Sequence, residues 1–118
     1  MAEHNDTGHL GETLAVAYLK ANGHQILHTN YRWLFAEVDI ISKHNNRLVF
    51  TEVKTRVTTA TATYYPEEFV DGHKEQMLIE TMEYFLEEHQ IDLEPRFDIV
   101  AVRIIDDDHE IYHFEDAF

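Results

Sequence analysis

Charged residues occupy two apolar, strand-like segments of the chain at positions where they could act together. Asp39 lies in AEVDIIS (residues 36–42), and Glu52 and Lys54 lie in LVFTEVKTRV (residues 48–57). Strand side chains alternate between faces with a period of two, so Glu52 and Lys54 share one face. The Lys-His-Asn-Asn stretch between the segments predicts a turn. The resulting hairpin would bring Asp39 close to Glu52.

Asp39 and Glu52 would then form a carboxylate pair in a partly dry site, where they repel unless a proton or a cation joins them. Lys54 is one such cation. A divalent metal is the other, because Mg²⁺ favours one or two carboxylates together with a carbonyl and waters. The backbone carbonyl of Val53 would be the third protein ligand. This set predicts a Mg²⁺ or Mn²⁺ site that acidifies a bound water, with Lys54 orienting the water or stabilising charge on a phosphate.

The same residues have a simpler interpretation as a solvated strand face. An exposed pair of Glu52 and Lys54 would be worth only about 0–1 kcal/mol. Two features favour the buried alternative. The neighbouring residues of both strands are apolar, which indicates strands covered on both faces. Glu12 has apolar neighbours at helical spacing, including Val16 and Leu19, and so borders apolar surface.

The elements that position these residues follow from hydrophobic periodicity and turn signals. A helix is predicted from Thr7 or Gly8 to about Asn22, and a longer one follows Pro66. The predicted strands cover residues 25–33, 36–42, 48–57, 96–105 and 110–114, and the second helix covers residues 67–89. The order α-β-β-β-α-β-β predicts an α/β fold with a central mixed sheet flanked by helices, in a single domain spanning residues 1–118.

Charge is distributed unevenly along the 118 residues, whose net charge is −14. Residues 1–63 carry six basic and six acidic residues, whereas residues 64–118 carry three basic and seventeen acidic ones. A polyanion could therefore approach only the first half. The absence of cysteine excludes disulfides and thiolate metal sites. The nine histidines are interpreted as surface residues. The sequence contains neither an apolar run of about 18 residues nor a recognisable signal peptide, so we expect a soluble, cytoplasmic protein.

The layout of a helix glutamate, an aspartate and a Glu-X-Lys strand resembles the PD-(D/E)XK nuclease superfamily and the archaeal Holliday junction resolvases. The whole chain is similar to the YraN-like family of bacterial proteins. The matching segments are GETLAVAYLKANGHQIL, TNYR, AEVDII, LVFTEVKTR, RFDIVAV and HFEDAF. This resemblance implies a restriction-endonuclease-like fold and a nuclease-like protein that binds DNA or RNA, or hydrolyses it with Mg²⁺ or Mn²⁺.

The resemblance also implies roles for individual residues. Glu12 matches the helix glutamate, Asp39 the motif aspartate, and Glu52 and Lys54 the Glu-X-Lys pair. Glu37 matches a supporting glutamate, although an alanine precedes it where the family usually has glycine. A valine stands in place of the proline of the PD motif, as in many members of the superfamily.

Further contacts to nucleic acid are predicted around this site, each with an alternative. Arg56 would bind a phosphate or pair with Glu37, and Tyr64 and Tyr65 would stack on bases or cap the core. In the second helix, where the family carries several basic residues, only Lys74 remains. The acidic second half therefore also suggests a catalytically weak or inactive interaction module that binds a protein partner. The sequence also leaves a homodimer open.

Overall fold

Over the residues that it describes (3–34, 36–63 and 72–117), the computed structural model contains two helices and five strands. Side chains are described for residues 7–34, 36–63 and 75–117. The elements are α1 (Glu3–Ala21), β1 (Gln25–Trp33), β2 (Ala36–His44), β3 (Arg47–Thr58), α2 (Gly72–Glu88), β4 (Glu94–Ile105) and β5 (Asp108–Phe114). Their order confirms the predicted one. The predicted start of the second helix lies outside the described residues.

The five strands form one mixed sheet in the order β1-β2-β3-β4-β5. Neighbours are antiparallel except β3 and β4, which run parallel from Arg47↔Glu94 to Thr58↔Ile105. A parallel pair needs a crossover connection, and α2 lies in the segment that makes it. The central mixed sheet with helices on its faces confirms the predicted fold class.

Each face of the sheet has its own apolar core. The two clusters alternate along β4, where Phe97 and Ile99 belong to one and Val100 and Val102 to the other. The first cluster packs against α2 through Leu78, Met82 and Phe85, and the second packs against α1 through Ala15 and Leu19. Burial on both faces explains the continuous apolar runs in the central strands, residues 48–50 of β3 and 99–102 of β4.

The turn between β2 and β3 is tighter than predicted, since both strands extend toward it. Asn45 and Asn46 form the turn, with left-handed φ angles of 50° and 62°. Lys43 and the residue after it pair with β3 instead of belonging to the turn. Two successive left-handed residues match the twist of a hairpin, which fixes the register that brings the two site strands together.

Helix α1 lies close against β3 at Gly11. A Cβ atom at this position would lie 2.8 Å from the Cβ of Thr55, closer than side chains normally pack. The missing side chain lets the helix lie directly on the sheet, one residue before Glu12. No helix within the described residues is long and apolar enough to span a membrane.

Candidate functional site

The Asp39 side chain connects β2 to β3 at the point where the backbone ladder ends. The ladder pairs Ile40 with Thr51 as its last residues on this side. Beyond it, Asp39 Oδ2 accepts a hydrogen bond of 2.7 Å from the backbone N–H of Val53. The Asp39 carboxyl group therefore lies directly beside the peptide bond that joins Glu52 to Val53.

Burial raises the pKa of Asp39 from 3.8 to about 6. The Val53 N–H opposes this effect, because it donates to the charged form. The negative charges of Glu12, Glu52 and Glu37 raise the pKa further. Four carboxyl groups thus converge closely enough for the other three to disfavour a charge on Asp39.

Glu52 is buried, with only 7% of its surface exposed. Lys54 Nζ lies 3.8 Å from Glu52 Oε1, and the Lys54 side chain reaches partly into solvent. The interpretation of these two residues as a fully solvated pair is therefore wrong for Glu52. Because the Glu52 carboxylate is buried, loss of the nearby Lys54 ammonium group would destabilise the protein more than loss of a surface partner would.

Glu12 enters the same neighbourhood from α1. Burial raises its pKa, and the nearby Glu37 carboxylate raises it further. His9 and a hydrogen bond from the side chain of Asn30 act in the opposite direction. Asn30 belongs to β1 and Glu37 to β2, so α1, β1 and β2 all contribute to the electrostatics of this site.

Glu37 and Arg56 do not pair, contrary to one of the alternatives for Arg56. Glu37 forms its ion pair with Arg32, at 3.3 Å, because these two residues oppose each other in the β1–β2 ladder. The Arg56 side chain is exposed. Tyr64 and Tyr65 lie outside the described residues. Lys74 belongs to α2, but its side chain is among those not described.

The donor set at Asp39 suits a hard divalent cation. Within the described ranges, no three or more His, Cys, Asp or Glu side chains are arranged as a ready metal cluster. Mg²⁺ does not need one, because it binds through one or two carboxylates and keeps several waters. These carboxylates repel one another when charged, and a bound cation would offset this repulsion and favour their charged forms. The residues present are therefore chemically suited to Mg²⁺ or Mn²⁺.

A second polar cluster was not predicted from the sequence. Asp98, which is 0% exposed, accepts hydrogen bonds of 2.9 and 2.8 Å from Arg96. His113 Nε2 lies 2.7 Å from Asp98 Oδ2, and its Nδ1 lies 3.0 Å from the Tyr18 hydroxyl. His24 is also buried, at 5% exposure, with Nδ1 2.8 Å from a serine hydroxyl. The assignment of all histidines to the surface is therefore wrong.

This second cluster is held by its own hydrogen bonds. Burial raises the pKa of Asp98, but hydrogen bonds from His113 and Arg96 outweigh it, so the pKa lies below its ordinary value. The backbone N–H of Asp116 also donates to Asp98, at 3.2 Å. Asp98 thereby ties the C-terminal segment to β4, which indicates a structural role. An acid inside the apolar segment RFDIVAV was the sequence signal for it.

The fold and this site define an α/β protein with a helix-flanked mixed sheet and clustered acids on its adjacent strands. The model of the family described as uncharacterised protein family UPF0102 matches residues 11–102, and the chain belongs to this family. UPF0102 proteins of Christiangramia forsetii and Flavobacterium psychrophilum are each 44% identical to it over 100% of this chain and 98% of their own. A UPF0102 protein of Syntrophotalea carbinolica is 39% identical over 94% of this chain and 89% of its own. The resemblance to the YraN-like family is thus confirmed.

Proposed function

We propose that this protein binds nucleic acid and hydrolyses its phosphodiester bonds with the help of Mg²⁺ or Mn²⁺. The observation that carries the proposal is the hydrogen bond between Asp39 Oδ2 and the Val53 N–H. It joins the acid of one strand to the Glu-X-Lys segment of the next, where Glu52 is buried and Lys54 is near. Burying carboxylates this close together is costly unless a cation compensates their charge.

The side chains take distinct roles in this proposal. Asp39 and Glu52, with the Val53 carbonyl, would hold the metal, which lowers the pKa of a bound water and neutralises charge on the phosphate. Lys54 carries a positive charge beside Glu52, where its ammonium group orients water or stabilises an anionic oxygen. Glu12 supplies a further carboxylate from α1.

The acidic surface limits how the protein holds its substrate. The outer face of α2 carries exposed glutamates, and Lys74 is the one lysine or arginine within α2. Each phosphate that lacks a basic partner removes part of the salt-dependent affinity. We therefore expect contact through the neutral first half, with affinity that depends on the divalent ion more than on lysine and arginine.

Cleavage assays test this proposal. Branched, nicked and single-stranded substrates are incubated with the protein in Mn²⁺ at low salt. The wild type should cut at least one of them, and Lys54→Ala should cut it at least about a hundredfold more slowly, as expected for loss of an electrostatic group at the reacting centre. Lys43→Ala, an exposed lysine on the neighbouring strand, is the matched control and should cut like the wild type. Equal rates for both variants, or no cleavage by the wild type, would refute the proposal.

A second candidate function is binding of a basic protein segment without catalysis. It is favoured by the exposed glutamates of α2 around Tyr84, which is 39% exposed and stacks on Trp33 at 4.9 Å. A partner captured through this surface should be lost when Glu80, Glu83 and Glu87 are changed to glutamine. Capture that depends on Glu52 instead would count against this alternative.

A further inference from the structure

An open cleft of about 250 Å³ lies beside the candidate site, between α1 and β1. Its lining residues are His9, Glu12, Thr13, Val16, Thr29 and Asn30. Glu12 belongs both to this cleft and to the group of acids around Asp39. A molecule held in the cleft would therefore lie next to a group reacting at Asp39.

The backbone of β1 presents two consecutive side chains to this cleft. In a regular strand Thr29 and Asn30 would point to opposite faces. Asn30 instead has a left-handed φ of 55°, and both residues line the cleft. Tyr31, the next residue, packs against the other core, with its ring 4.9 Å from that of Phe85. A non-glycine residue rarely adopts this conformation, so the surrounding structure holds Asn30 in place.

The chemistry of the lining favours a neutral, planar and polar ligand. Among the described residues, neither lysine nor arginine lines the cleft, and the carboxylate of Glu12 would repel a phosphate. Hydroxyl, amide and carboxylate groups and the imidazole of His9 surround the apolar side chain of Val16. Asn30 donates to Glu12, which leaves its amide oxygen as an acceptor. Asparagine pairs well with adenine, and a carboxylate accepts from the amino group of cytosine.

We propose that this cleft binds the base of a nucleotide next to the scissile phosphate and prefers adenine or cytosine over thymine or uracil. The proposal rests on the proposed nuclease function and names its specificity determinants. The acceptors on Glu12 and Asn30 face the exocyclic amino group. The Thr13 hydroxyl donates to the His9 carbonyl at 3.0 Å and so offers only an acceptor, and the Thr29 hydroxyl completes the polar edge. Thymine and uracil present a carbonyl oxygen at the corresponding position, which these acceptors would repel.

Sequencing of cleavage products tests this inference. A single-stranded DNA library of random sequence is digested with Mn²⁺, and the new ends are sequenced. One position beside the cut should be enriched in adenine or cytosine over thymine by at least about fivefold, the lower end of discrimination by one good side-chain contact. Asn30→Gly should abolish this enrichment. Asn46→Gly is the matched control, since both changes replace a left-handed asparagine with glycine, and it should keep the enrichment.

The outcomes separate this inference from the proposed function. Cleavage by the wild type without any base preference beside the cut would overturn the inference alone. Retention of the wild-type preference by Asn30→Gly would also overturn the inference and leave the proposed function standing. A wild-type protein that leaves this library and the branched and nicked substrates intact in Mn²⁺ would overturn the proposed function and, with it, this base-binding site.

Discussion

The cost of ionising Asp39 should be measurable as protein stability. The pKa of this residue is raised from 3.8 to about 6 in the folded protein. At about 1.4 kcal/mol per pKa unit, this corresponds to an upper value of about 3 kcal/mol lost when Asp39 ionises in the absence of a cation. Between pH 3.8 and 6 the native state binds more protons than the unfolded state, so this contribution lowers stability as pH rises through that window.

Replacing Asp39 with asparagine removes the charge and keeps the shape of the side chain. The amide oxygen still accepts from the Val53 N–H, although more weakly than a carboxylate. We therefore expect Asp39→Asn to stabilise the metal-free protein by about 1–3 kcal/mol at pH 8. The gain should fall by about half at pH 5, where wild-type Asp39 is largely protonated.

Urea unfolding in EDTA at the two pH values measures this effect. Asp92→Asn, at an exposed position before β4, is the control and should change stability by less than about 0.5 kcal/mol. Mn²⁺ should stabilise the wild type and have no effect on Asp39→Asn. Loss of stability in Asp39→Asn at pH 8 without metal would refute the reasoning, because it would mean that the native structure favours the charged carboxylate.

Three further predictions concern the scaffold. Gly11→Ala should cost about 1–3 kcal/mol in urea unfolding because its Cβ would meet the Thr55 side chain, and Thr55→Gly should recover part of this loss in the double variant. His24 has its pKa lowered to about 4, mainly by burial, so the unfolded state binds more protons and stability should fall as pH drops from 6.5 to 4. His24→Asn should flatten this slope, and an unchanged slope would contradict the assignment. Asp98→Ala should cost about 3–5 kcal/mol, because it leaves the buried Arg96 with only the exposed Glu115 at 3.7 Å, and a loss below about 1 kcal/mol would show that the cluster is unimportant.

The proximity of Asp39 to the Glu-X-Lys segment of β3 could be predicted from the sequence because two local signals agreed. Acids inside apolar strands marked the positions, and a pair of asparagines fixed the hairpin register. The partner of Glu37 could not be chosen from the pattern, because pairing with Arg56 on β3 was one of two open alternatives. Glu37 pairs instead with Arg32, which lies directly across the β1–β2 ladder.

Other features depend on tertiary structure and could not be read from local pattern. Asp98 and His113 are adjacent only because β4 and β5 pair at the sheet edge, and no local periodicity relates the two residues. The left-handed conformation of Asn30 and the register shift between Ile26 and His28 have no signal in the alternation of β1. His24 lies between the end of α1 and the start of β1, and the ring of His24 stacks on that of His44 at 4.1 Å. Its burial therefore depends on how the chain packs onto the sheet there.

Calorimetric titration of Mn²⁺ into the metal-free protein tests the central claim most directly. Wild-type protein should bind about one ion, with release of about half a proton at pH 6, because Asp39 is about half protonated at its pKa of about 6 and the metal must displace that proton. Asp39→Ala should show no such binding, and Asp92→Ala should bind like the wild type. An absence of binding heat in the wild type, or equal binding by Asp39→Ala, would contradict the account.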